Sequence, residues 1–274
     1  MEDQLSLYLS YLTRRKSGKT VKLYGWVASK FADFMKSQGI TPKELKLIHV
    51  EKFLSMLDVS DRSLAVYSYA LANFLEFIGL SDLARKVPVT RYEVKEPKWL
   101  EREQVMKIIE ACENPIHKAL LWTSYELALR VGEAVRLKWE DVDLENRTVA
   151  VTRLKKKRVE RKIKPISREL ARFLMTLPQH CEYVFPSYGG RGKPGWHMMS
   201  ETMAEKIFRD AAAKVGLKGY TFHTLRHSRA TEIAMRTGGN PIDVAKVTDH
   251  DNPANVLIYC HIALRRLREI TGTE

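Results

Sequence analysis

The sequence predicts a mainly α-helical chain with a small antiparallel β-sheet, organised as an N-terminal helical bundle followed by a larger second domain. Three observations lead there. Apolar residues recur at helical spacing through the first 80 residues, an aperiodic stretch with two prolines follows, and beyond it helical periods flank one short region of strand-like alternation.

In the first helix Leu5, Tyr8, Leu9 and Leu12 fall at i, i+3, i+4 and i+7. After a Ser17-Gly18 break, Leu23, Val27, Phe31, Phe34 and Met35 continue the stripe to Gly39. A third element around Val50 to Leu57 and a fourth with Leu64, Leu71, Phe74, Leu75 and Ile78 complete a bundle of four or five helices ending at Gly79. The segment VPVTRYEVKEPK reads as an extended linker, giving domains at residues 1–84 and 98–274 joined by 85–97. Helices are expected at about 101–112 and 115–128. Strands follow at Thr148 to Thr152 and through Ile163, with LKKKRVER at the hairpin tip. Helical periods return from Met199 to Val215, His223 to Arg236 and Val256 to Ile270, with Gly238-Gly239 and Pro241 as breaks.

Composition narrows the function. The chain has 46 Lys plus Arg against 33 Asp plus Glu, a formal charge of +13, which predicts a polyanionic partner such as nucleic acid. No secretion signal or membrane-length apolar run is legible, so a cytoplasmic protein with no membrane association is expected. Cys112, Cys181 and Cys260 are far apart and in no metal-ligand spacing, which predicts free thiols and no metal site.

From Arg153 to Lys164 the hairpin carries eight basic residues and one acid, Glu160. Arg153, Arg158, Arg161, Lys162 and Lys164 are therefore candidate DNA contacts, because a basic tip can enter a groove and meet phosphates. Phosphoryl transfer needs fixed positive charge around the phosphorus, and a guanidinium supplies it with a planar pair of donors. Arg130 lies in ALRVGEAVRL and Arg226 in HTLRHSRAT, three residues after His223 and on the same helix face. Singly, His223, His250 and Tyr259 are ordinary residues; their order and spacing carry the signal.

That order resembles the tyrosine recombinase (phage integrase) family, whose signature runs Arg, hairpin Lys, His-x-x-Arg, His or Trp, then Tyr. Here it reads Arg130, a lysine of the 155–157 run, His223-Thr-Leu-Arg226, His250 and, nine residues on, Tyr259. Ser17-x-x-Thr20-x-x-x-Tyr24 resembles the opening of the family's SAM-like core-binding domain, so the likeness covers nearly the whole chain. Length and the lack of an added arm-binding domain make it most similar to Xer-type recombinases, including archaeal ones. Two departures stand out: Thr248-Asp249-His250 replaces the usual Leu-Gly-His, and the hairpin offers three consecutive lysines.

The resemblance implies a C-shaped clamp on double-stranded DNA bearing a specific site, assembled as a homotetramer on DNA from a monomer in solution. It implies Tyr259 as nucleophile, a 3′-phosphotyrosine intermediate and exchange through a Holliday junction, with no cofactor. Arg130, Arg226 and His250 would stabilise the phosphorane, and His223 would assist the tyrosine proton or hold a phosphate oxygen. Lys155 would protonate the leaving oxygen, with Lys157 and Lys156 as alternatives, and Glu133 would orient a catalytic side chain. The tail beyond Tyr259, with Arg265, Arg266 and Arg268, would pack on a neighbouring subunit. Dimer resolution of chromosomes or plasmids, or integration and excision of a mobile element, would each use this chemistry. A non-catalytic DNA-binding protein on the same scaffold and a type IB topoisomerase-like enzyme are the alternatives.

Overall fold

A computed structural model of the chain describes residues 2–93, 96–155, 158–189, 194–250 and 253–272. The chain divides between residues 95 and 96 into two compact units.

The N-terminal unit contains α1 (Glu2–Arg15), α2 (Gly18–Ser37), α3 (Leu47–Ser55), α4 (Asp61–Phe77) and α5 (Ser81–Lys86). The Ser17 hydroxyl caps α2 by accepting from the Thr20 N–H at 3.3 Å, and Ser60 caps α4 through the Ser63 N–H. Such caps satisfy donors that an isolated first turn leaves open. Gly39 and Gly79 take positive φ after α2 and α4, turns in which a side chain would be strained. The apolar stripes meet in a core where the Phe31 and Phe53 rings cross edge to face at 5.0 Å and the Tyr8 hydroxyl donates to Asn73 Oδ1 at 2.9 Å. Packing continues past Gly79, where the sequence reading ended the bundle: α5 follows, and Val87 is buried in the same core.

The C-terminal unit opens with α6 (Arg102–Glu110), α7 (Pro115–Glu126) and the short α8 (Val131–Ala134). A three-stranded antiparallel sheet follows, β1 (Val142–Asp143), β2 (Thr148–Lys155) and β3 (Arg158–Pro165), in that order across the sheet. Next come α9 (Arg168–Met175), a small hairpin of β4 (Pro186–Tyr188) and β5 (Trp196–Met198), then α10 (Glu201–Lys214). The unit closes with α11 (His223–Arg236), α12 (Pro241–Thr248) and α13 (Leu257–Thr271). Its core is built on Ile108, Leu120, Val149, Leu170, Phe208 and Leu225, from helices and sheet together.

Two differences from the expected elements bear on the site. The β2–β3 pairing extends to Lys155 opposite Arg158, so the strands consume most of the segment expected as a tip. Pro241 opens α12 rather than breaking a helix. The Asn240 side chain accepts from the Ile242 N–H at 2.9 Å, and proline suits a first helical position that has no hydrogen bond to lose. Among the described residues no helix is long and apolar enough to cross a membrane.

Candidate active site

Tyr259 lies on the first turn of α13 and is 3% exposed. Its hydroxyl is 2.7 Å from His227 Nδ1 on α11. Burial pushes the phenol pKa up, and the charges of Arg226 and Arg130 pull against that rise. His227 is pushed down to about 4 by burial and by the fields of His223, Arg226 and His250. A neutral imidazole facing a neutral phenol can accept its proton through one well-placed bond.

Arg226 is 1% exposed and sits one residue before His227 on α11. It donates to Ala128 O at 2.5 Å and also to Thr248 O. Burial, then Arg130, lowers it to about 10, so it stays a cation at neutral pH. A guanidinium has five N–H donors, which leaves capacity for a phosphate oxygen beyond these two carbonyls.

Arg130 caps α8 through its partner rather than its own side chain. Glu133 Oε2 accepts from the Arg130 backbone N–H at 2.9 Å, and Oε1 accepts from its guanidinium at 2.8 Å. Glu133 also lies 3.4 Å from Arg153 Nε. Burial works to raise the Glu133 carboxyl, yet the Arg130 backbone and side chain, with the Arg226 charge, hold it below the usual range. Glu133 is thus a fixed anion between two arginines.

His250 follows α12 directly. Its Nδ1 is 2.6 Å from the Thr248 hydroxyl, which is itself 2.6 Å from Val244 O. One hydroxyl proton serves one of those bonds: given to Val244 O, it leaves His250 Nδ1–H as the donor, and given to His250 Nδ1, it leaves the ring proton on Nε2, free to donate outward. Burial and the charges of Arg226, Arg130 and Arg153 press its pKa down to about 4. The His250 and Tyr259 ring centres are 6.4 Å apart.

His223, expected to assist the tyrosine proton or hold a phosphate oxygen, stands at the exposed head of α11, edge-on to His227 at 4.4 Å between rings. The histidine bonded to Tyr259 is His227, which the sequence reading did not single out. Its signal was present: His227 is one residue past Arg226 and one turn past His223, on the same helix face.

The basic hairpin is not a uniformly solvated tip. Strand alternation puts Arg153 of β2 and Lys162 and Lys164 of β3 on the inner face and leaves Ile163, 74% exposed, outside. Arg153 is buried beside Glu133. Lys164, expected among the DNA contacts, is buried against backbone carbonyls and Asp249. Lys162 lies 3.4 Å from Asp249 Oδ1, and Arg161 pairs with Asp141 at 2.5 Å with half its side chain in solvent. Lys156 and Lys157, and the side chains of Lys155 and Arg158, lie outside the described residues.

Residues 98–266 match the sequence profile of the phage integrase family. Tyrosine recombinase XerA of Pyrococcus horikoshii is 30% identical over 275 residues, covering 97% of this chain and 92% of that protein. A crystal structure of lambda integrase as a dimer bound to a COC′ core site aligns with a TM-score of 0.72 at 16% identity, over 95% of each chain. The XerH site-specific recombinase in its post-cleavage complex with a palindromic difH substrate aligns at 0.70 and 18% identity, over 94% of this chain and 81% of that one.

Proposed function

Because the chain belongs to the phage integrase family, we propose that it is a site-specific tyrosine recombinase of Xer type. It cleaves and rejoins double-stranded DNA through a 3′-phosphotyrosine intermediate. The observation that carries the site assignment is the Tyr259 hydroxyl held on His227, with Arg226 one residue away in sequence and the Arg226 and Arg130 charges both acting on the phenol.

In the cleavage step the Tyr259 oxygen attacks the scissile phosphorus and the bond to the 5′ oxygen breaks. The phenolic proton passes to His227, and a hairpin lysine, Lys155 in our reading, gives a proton to the departing 5′ hydroxyl. Arg130, Arg226 and, through an Nε2–H with Nδ1 accepting from Thr248, His250 meet the growing charge on the non-bridging oxygens, and His223 borders the same site from the head of α11. The phosphodiester energy is kept in the phosphotyrosine bond, and attack by a 5′ hydroxyl reverses the step. Glu133 positions Arg130 and Arg153. Asp249, a negative charge beside a phosphate site, is neutralised by Lys164 and Lys162, which favours the catalytic reading over a purely DNA-binding one.

Arg161 and Lys162 remain candidates for phosphate contact from the hairpin. The protein acts as a homotetramer on a specific site, exchanging strands through a Holliday junction. The exposed Leu264, Leu267 and Ile270 of α13 support docking of this helix on a neighbouring subunit. The reaction serves dimer resolution on chromosomal or plasmid DNA in the cytoplasm, or integration and excision of a mobile element.

A nicked duplex carrying the target site tests the assignment. The wild-type protein is expected to form an adduct that survives SDS, and Tyr259→Phe to form none while still binding DNA. An adduct persisting in Tyr259→Phe refutes the role of Tyr259.

A further inference from the structure

The turns that deliver Arg130 and His250 are laced together by two buried cations. After α7, Ala128 takes a left-handed conformation with φ of 51°, and two residues later the chain reaches Arg130. After α12, Asp249 does the same with φ of 52°, and His250 follows. Lys164 Nζ donates to Leu127 O at 2.8 Å and to Val247 O at 2.6 Å. Arg226 joins the same two turns one residue further along each, at Ala128 O and Thr248 O. The third Lys164 partner is Asp249 Oδ2 at 2.6 Å, and both side chains are nine-tenths buried. An ammonium has three donors, so Lys164 has none to offer a DNA phosphate.

We propose that Lys164 and Asp249 act together as positioning residues, fixing the turn that carries Arg130 against the turn that carries His250. The inference rests on the recombinase reading and concerns how its site is held in register. Asp249 supplies two things at once. Aspartate tolerates the left-handed backbone that glycine usually provides there, and its carboxylate balances a cation that burial would otherwise neutralise or expel. Burial does hold the Lys164 pKa below its ordinary value, with Asp249 opposing that fall. A glycine at 249 would allow the turn but leave Lys164 without this counter-charge. The acid in Thr248-Asp249-His250 and the inward lysine on β3 are thus two halves of one device.

The test compares wild type, Lys164→Met, Asp249→Asn and the double variant, reading single-turnover cleavage of the nicked duplex at saturating protein beside Kd and its salt dependence. Lys164→Met is expected to cleave about tenfold or more slowly at saturation, as a small displacement of catalytic groups does. Its Kd and salt slope should stay within about twofold of wild type. Asp249→Asn, which keeps a left-handed turn and an acceptor, should show a smaller loss in the same direction. The double variant should cleave no more slowly than Lys164→Met alone, because the pair is one unit.

Three results overturn the proposal: saturated cleavage by Lys164→Met at the wild-type rate, a weakened Kd with a shallower salt slope, or single losses that multiply in the double variant. If circular dichroism shows Lys164→Met unfolded, Asp249→Asn decides, and an unchanged cleavage rate there overturns the pairing. Wild-type protein that forms no adduct under these conditions refutes the recombinase reading instead.

Discussion

The N-terminal unit keeps its interior almost wholly apolar, with Ser68 its one fully buried polar residue among those described, whereas the C-terminal unit buries Arg153, Lys164, Arg226 and Asp249 beside several hydroxyls. Apolar burial is non-directional and tolerates imprecision, so it suits a bundle whose interior holds no buried charge among the described residues. Buried cations cost far more unless each donor meets an acceptor at a set place. Arg226 and Lys164 meet that demand with the carbonyls of two helix-terminal turns, and the same turns carry Arg130 and His250. In the C-terminal unit, polar satisfaction and the placement of Arg130 and His250 are therefore one requirement, and the N-terminal interior carries no such coupling among the described residues.

The sharpest way to break that contrast is Arg226→Lys, which keeps the charge and removes the planar fork. Saturated cleavage is expected to fall by about a thousandfold, the scale of losing a preorganised transition-state donor. A loss below about tenfold in single-turnover assays would separate burial from catalysis. The next test lies in the other unit. Phe31→Ala removes a ring from the apolar core and should cost about 3–5 kcal/mol of local stability. It should be read as faster amide exchange in residues 2–93, with cleavage at saturating protein changed less than about twofold. Equal deprotection of the C-terminal unit would show that the two interiors are not independent.

The smallest expected effect is that of acid. His227 and His250 have folded-state pKa values near 4, below the ordinary value near 6.5, so between those limits the unfolded chain binds protons that the folded unit does not. Stability of the C-terminal unit should therefore be fully present above about pH 6.5 and decline as pH falls toward 4. The N-terminal unit has one histidine, His49, and no such cluster. Thermal melts resolved by unit at pH 7 and 5 should show a larger shift for the C-terminal unit, and equal shifts would count against the neutral histidine pair.

The same contrast explains how much the sequence disclosed. The N-terminal helices were legible because each apolar stripe has one use: Phe31, Phe34 and Phe74 point inward because that is where apolar residues go. Arg130, Arg226, His250 and Tyr259 were legible as a spaced series, although no single member stands out. Lys164 was not, because among eight basic residues only the hairpin register decides which face inward, and the outward Ile163 runs against the usual polarity of strand faces. His227 was hidden by its neighbours, since the recognised series steps from Arg226 to the next element. Helix α12 was missed because Pro241 marks a helix start as readily as a break, and Asn240 before it was the deciding cue.

The way Glu133 holds Arg130 makes position 130 unusually easy to dissect. One carboxylate oxygen takes the backbone N–H and the other takes the guanidinium. Every residue except proline retains that N–H, so half of the grip outlasts a side-chain change. A graded series at 130, from lysine through glutamine to alanine, would then report the worth of charge and hydrogen bonding at the proposed phosphate site without unravelling the start of α8.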